Sequence, residues 1–179
     1  IAIIGMSGRF PMAEDLNTFW QNLVEGKDCI SEIPVSRWDW RNIYGDPMTE
    51  ANKTDIKWGG FIDGLEDFDA LFFGISPKEA MFMDPQQRLL MTYVWKVIED
   101  AGYSPKSLSG TQTAIYVGTA ASGYSSLIAQ SNAVIEGYTS TGFVSSLGPN
   151  RMSYLLNLHG PSQPIETACS SSLVAIHRA

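Results

Sequence analysis

Two thiols and two imidazoles are the side chains in this sequence best suited to nucleophilic chemistry: Cys29, Cys169, His159 and His177. Cys169 has the more suggestive surroundings. The segment Gln163–Thr167 before it is short and carries β-branched residues, so it suits a strand, with Pro164 tolerable only near the strand start or on an edge. Ser170–Ala179 after it reads as a helix with Leu173, Val174, Ala175 and Ile176 as its apolar body. Cys169 therefore falls at a strand-to-helix corner. Free N–H groups and the positive end of the helix macrodipole favour an anion there. Thiolate is the nucleophilic form of cysteine, and the same donors suit an oxyanion formed during acyl transfer. The three serines Ser170, Ser171 and Ser172 are good capping residues for the orphan N–H groups. A buried, inert cysteine is the alternative that position alone leaves open.

A nucleophile of this kind needs a base within hydrogen-bond reach. His159 precedes Cys169 with the strand between them, and a five- or six-residue strand at about 3.3 Å per residue separates its ends by roughly 17–20 Å. His177 follows on the helix, about 12 Å along the axis at ~1.5 Å per residue. Neither is the partner. We assign His159 to the loop and His177 to packing or solvent contact. Cys29 has no activating neighbours and is read as structural.

The run E-T-A-C-S-S-S-L-V-A-I-H around Cys169 resembles the active-site signature of β-ketoacyl synthases, in particular the ketosynthase domains of modular polyketide synthases. D-P-Q-Q-R-L-L, E-D-A-G, K-W-G-G-F-I, F-D-A-L-F-F-G-I-S-P and S-Y-L-L-N-L-H-G-P-S resemble the same family, so the likeness covers essentially the whole chain. One departure is Met12, where many members have Gly. R-W-D-W, N-K-T-D-I-K-W-G-G-F and P-I-E-T-A-C resemble the subgroup whose acyltransferase is a separate protein. The resemblance implies an α/β, thiolase-like fold, of which residues 1–179 would be the N-terminal half. It implies that Cys169 holds an acyl chain as a thioester and condenses it with a malonyl-type unit. No cofactor is bound directly; substrates arrive on the phosphopantetheine of an acyl carrier protein. Two histidines, a lysine and part of the oxyanion hole come from the family's second half, so a piece without them is inactive. The parent domain would be a homodimer with the strand before Cys169 at the two-fold axis. A non-elongating domain that only transfers acyl chains or binds carriers would keep the same cysteine. A cysteine hydrolase would need a His with an orienting Asn or Asp elsewhere, and explains none of the other matched segments; a fatty acid synthase fits less well.

The elements that must position Cys169 read as follows. Ile1–Gly5 is a continuous apolar run, as in a strand buried on both faces. The G-M-S-G-R-F-P that overlaps its end lacks the order of a phosphate-binding loop. Asp15 caps a helix to Glu25, ended by Gly26, with Leu16, Phe19, Trp20 and Leu23 as its core face. About 27–74 is an irregular, aromatic-rich, acidic insertion that folds down onto the domain, and its carboxylates lack calcium-loop spacing. Asp84 and Pro85 open the clearest helix, with Leu90, Val94, Val97, Ile98 and Ala101 on one face and Gly102 as the stop. Arg88 on it is expected to make a structural ion pair. Thr113–Gly118 is a buried strand, followed by a small-residue loop with Gly123, Ser125 and Ser126. Arg151–Leu158 reads as a helix. This alternation argues an α/β fold with a mainly parallel sheet.

Composition sets outer bounds. Hydrophobic residues make up 44% and charged residues 17%, as in globular domains. A net charge of −7 lacks the basic footprint of nucleic-acid binding. No apolar run is long enough to span a membrane, no signal-peptide pattern opens the chain, and a reducing cytoplasm is the default for two unpaired thiols. The first residue already lies in an apolar run and the last falls in mid-helix, so the chain reads as a piece cut from something longer.

Overall fold

The computed structural model describes residues 1–179. They divide into two units, Gly8–Gly64 and Ile1–Ser7 with Leu65–Ala179.

In the Gly8–Gly64 unit the Asp15 carboxylate accepts the Thr18 N–H at 2.8 Å, and helix α1 runs Leu16–Val24. Gly26, at φ +60, supplies the left-handed turn that ends it. The anticipated core face of α1 is not one. Trp20 and Leu23 are exposed, and Phe19 stacks on Phe10 with centroids 4.0 Å apart. The buried residue is Asn22, whose amide donates to the Met12 carbonyl at 3.0 Å. Helical spacing marks an apolar stripe but does not supply what covers it.

The insertion is irregular but organised. Its part in this unit pairs Ser31–Glu32 (β1) antiparallel with Trp58–Gly59 (β2). Lys57 stands over the rings of Trp40, Trp58 and Tyr44 at 5.0, 5.2 and 5.6 Å, and its Nζ meets the Glu32 carboxylate at 2.9 Å. A cation held among ring faces gives a loop with few ladder bonds a fixed centre.

In the other unit Ser76 caps α2, Pro77–Phe82, and Asp84 caps α3, Pro85–Asp100, by accepting the Gln86 N–H at 2.8 Å. Gly102, at φ +80, stops α3 as expected. Ile115–Gly118 (β3) lies parallel to Ser162–Ile165 (β4), in register from Ile115 opposite Ser162 to Gly118 opposite Ile165. Pro164 sits opposite Val117 within β4. Tyr124–Gln130 (α4) and Leu147–Leu155 (α5) lie between the strands in sequence, and Ser171–Arg178 (α6) follows β4. The core gathers Phe73, Ile75, Met83, Met91, Ile115, Met152 and Leu156, with Val94 and Ile98 of α3 packed against it.

Four expectations are corrected here. Ile1–Gly5 forms no strand: Ile1, Ile3 and Ile4 are exposed, because no strand of this chain pairs beside them. The segment is held instead by the Met6 N–H on the Asp100 carboxylate at 2.8 Å. Ser125 and Ser126 lie in α4 rather than in a loop. The helix expected at Arg151–Leu158 starts at Leu147, since Pro149 falls in its first turn, where a missing N–H costs nothing. It ends before Asn157, which takes φ +53. Arg88 makes no ion pair and its Nε is buried without a partner; the ion pair in which an α5 arginine takes part is Arg151–Glu79 at 2.7 Å.

Candidate active site

The corner between β4 and α6 is built from short-range bonds. Beyond β4 the Thr119 N–H still reaches the Ile165 carbonyl at 2.9 Å, so the parallel pairing runs to the edge of the turn. Ala168 then adopts φ +55. A residue with a Cβ costs roughly 1–2 kcal/mol in that left-handed region, so neighbours must hold it. Ser171 does so from inside: its buried Oγ accepts the Thr167 N–H at 2.9 Å and donates to the Ala168 carbonyl at 2.7 Å. The Ser170 hydroxyl donates to the Thr167 carbonyl at 2.8 Å.

The serines therefore pin the corner rather than cap the helix, and no side chain caps α6. This corrects the expected capping role. A hydroxyl one position into a helix reaches back to the turn more readily than forward to the next N–H. Gly118, at the end of β3, completes the clamp. A Cβ there would lie 2.7 Å from the Ser172 nitrogen and 2.9 Å from the Ser171 carbonyl carbon. Only a bare backbone lets β3 approach α6 so closely.

Cys169 stands at this corner with its side chain exposed. The expected apolar body of α6 divides: Ala175 is buried, whereas Leu173 and Ile176 are about 70% exposed, at 72% and 71%. His159 sits in the loop before β4, a ring nitrogen 3.3 Å from the Asn157 amide oxygen, and His177 is exposed in the last turn of α6.

A cavity of about 480 Å³ opens beside the same strand ends. Its walls are the loop Gly118–Gly123, the first turns of α3 with Gln86 and Gln87, Phe143, Gly148, and Glu166 of the corner itself. The start of α3 holds the loop in place. The Gln86 amide donates to the Ala120 carbonyl at 2.8 Å and accepts its N–H at 3.5 Å, imitating a strand neighbour. The Ser122 hydroxyl donates to the Asp84 carboxylate and accepts the Tyr124 N–H at 3.1 Å. Ligands of α/β folds bind in the crevice beyond the carboxyl ends of strands, and both Cys169 and the cavity lie there. Sequence reasoning found Asp84 only as a cap and missed Gln86, Gln87 and Ser122 as wall residues.

The family described as Beta-ketoacyl synthase, N-terminal domain, matches residues 1–179, the whole chain. The chain belongs to this family. Ketosynthase relatives agree with it. Polyketide synthase PksN of Bacillus subtilis is 64% identical over 179 residues, all of this chain and 3% of its own length. The solved oxazolomycin ketosynthase domain OzmH KS7 of Streptomyces albus is 36% identical with a TM-score of 0.84, covering 99% of this chain and 31% of that one. The ketosynthase from module 6 of the bacillaene synthase of Bacillus subtilis is 39% identical with a TM-score of 0.83, covering 99% of this chain and 28% of that one. The fold is thus the thiolase-like α/β fold of ketosynthase domains. The chain spans less than a third of the solved ketosynthases and a few per cent of PksN. No helix is long and apolar enough to cross a membrane.

Proposed function

We infer that residues 1–179 are the N-terminal half of an elongating ketosynthase domain in a modular polyketide synthase, and that Cys169 is its nucleophile. The observation that carries this reading is the exposure of Cys169 on a corner pinned by Ser171 and Gly118. The thiolate attacks the thioester carbonyl of an acyl chain delivered on the phosphopantetheine of an acyl carrier protein. A new S–C bond forms on Cys169, the old one breaks, and the carrier thiolate leaves and takes up a proton. A malonyl-type unit on a second carrier then loses CO₂ to give an enolate. The enolate carbon attacks the Cys169 thioester, a C–C bond forms, and Cys169 departs as thiolate. This chain's part is to hold the thiol at the strand ends and to position the acyl chain.

Neither histidine of this chain serves the decarboxylation. His159 is spent on Asn157, and His177 stands at the far end of α6. The remaining half of the domain supplies those groups in this reading, so residues 1–179 alone do not condense. The parent acts as a homodimer in the cytoplasm with carrier proteins as partners, and belongs to the subgroup served by a separate acyltransferase.

The test is condensation by the full ketosynthase domain. It is first loaded with an acyl thioester and then given malonyl carrier protein. A β-ketoacyl carrier detected by mass spectrometry is expected. Loading of Cys169 followed by acyl release without a new C–C bond would assign the non-elongating role instead.

A further inference from the structure

Ser170 stands at the N-cap of α6, where a serine ordinarily turns its hydroxyl forward to a first-turn N–H. Ser76, at the same position of α2, does so and accepts the Glu79 N–H at 3.1 Å. Ser170 turns the other way. Its hydroxyl donates to the Thr167 carbonyl at 2.8 Å, and α6 keeps no side-chain cap. Thr167 Oγ1 lies 2.9 Å from the same Ser170 oxygen. A hydroxyl carries one proton. The Ser170 proton is spent on the carbonyl, so Thr167 Oγ1 is the donor of the second bond. The Ser170 N–H also meets the Thr167 carbonyl, but at 3.4 Å that bond is long. The two hydroxyls are thus the shorter ties across the turn Thr167–Ser170, and Cys169 lies inside it. Thr167 and Ser170 are both exposed. Breaking their bonds leaves no buried group unpaired, so the fold gains little from them. A helix cap is given up for a contact of small worth to stability, and what that contact fixes is the backbone carrying Cys169.

We propose that Ser170 is a positioning residue for the Cys169 nucleophile, with Thr167 as its partner: the hydroxyl pair holds the Cys169 backbone in the orientation from which its sulfur reaches a thioester carbonyl. The inference rests on the function proposed above and adds residues to that same site. Neither hydroxyl touches the reacting atoms in this role; both act through Cys169. The task differs from that of Ser171, whose buried hydroxyl ties the Thr167 N–H and the Ala168 carbonyl from the inside of the corner. Ala168, at φ +55, holds a conformation that a residue with a Cβ leaves when it can. Without the outer tie the turn has room to relax, and the sulfur moves with it. A misplacement of about 1 Å can cost about 100-fold in rate, so a contact that adds little to stability can still decide reactivity.

The experiment uses the full ketosynthase domain and the hexanoyl thioester of N-acetylcysteamine. Acylation of Cys169 is followed by intact-protein mass spectrometry over a range of thioester concentrations, beside thermal melting. In Ser170→Ala the rate at saturation is expected to fall about tenfold or more, while the half-saturating concentration and the melting temperature stay near wild type. Ser170→Thr keeps the hydroxyl and restores the wild-type rate. Thr167→Val keeps the β-branched shape but loses the donor, and slows acylation in part. It carries the test should Ser170→Ala fail to melt cooperatively. A wild-type rate in Ser170→Ala, or in Thr167→Val where that variant stands alone, overturns the inference. So does a Ser170→Thr rate as low as that of Ser170→Ala, or a loss of rate in Ser170→Ala that comes with a lowered melting temperature, which would make Ser170 structural only. Absence of any acylation in the wild type overturns the ketosynthase reading itself, and this inference with it.

Discussion

At the scale of single residues, the site depends on atoms that are absent as much as on atoms that are present. Gly118 has no Cβ, and that absence lets β3 meet the first turn of α6. Gly118→Ala forces the two apart and should cost about 1–3 kcal/mol, as overpacking does. Thermal melting of the full domain reads the loss, and slower acylation at Cys169 should accompany it. Ser171→Ala removes the acceptor of the Thr167 N–H and the donor to Ala168. Thr167 and Ala168 are exposed, so the loss is that of two net hydrogen bonds, about 0.5–1.5 kcal/mol each, and a melting temperature equal to wild type would contradict the clamp. The position of Cys169 was legible in the sequence because the strand, the corner and the serines are contiguous. The role of the serines was not. Capping and corner-pinning draw on the same residue type and differ only in which way a hydroxyl turns.

At the scale of elements, local chemistry was readable and burial was not. Asp15 and Asp84 cap the helices they were expected to cap, since a cap needs only neighbours two or three residues away. Trp20, Leu23 and Ile1–Gly5 were expected inside and stand outside, since burial depends on what lies opposite. The cavity was illegible for the same reason: its walls come from residues near 84–93, 117–125, 143–148 and 166. Asp84→Ala removes a cap and the anchor of Ser122 together. The cap alone is worth about 1 kcal/mol, and the freed loop should weaken acyl-chain binding, read as a raised KM.

A second clasp predicts a pH dependence. Lys78 of α2 bonds Glu136, and Tyr138 donates to the same carboxylate at 2.6 Å. The Lys78 hydrogen bond, then that of Tyr138, holds Glu136 below its ordinary 4.5. Glu136 in turn raises Lys78 above 10.5 and Tyr138 above 10.0, in each case chiefly through its hydrogen bond. A lowered acid stabilises above its unfolded value, and that contribution is lost as pH falls through the folded one. The raised Lys and Tyr stabilise below their unfolded values, and lose that contribution as pH climbs through the folded ones. The melting difference between wild type and Glu136→Gln should therefore be greatest between pH 4.5 and 10.0 and shrink on either side. A difference that persists undiminished into acid would remove the clasp.

At the scale of the whole molecule, Leu173, Ile176, Tyr154 and Ile3 present large apolar surfaces to solvent. In a complete thiolase-like domain such surfaces are covered by further layers. Residues 1–179 expressed alone should bind a hydrophobic dye strongly and aggregate, whereas the full ketosynthase domain should do neither. A cooperative, reversible melt of the isolated piece would contradict this. The account as a whole turns on one sulfur atom. Its most direct test is incubation of the full ketosynthase domain with an acyl-pantetheine thioester, followed by peptide mapping of the acyl group. The account predicts a single acylated site at Cys169, lost in Cys169→Ala; acylation that persists in that variant, or that maps to Cys29, would contradict it.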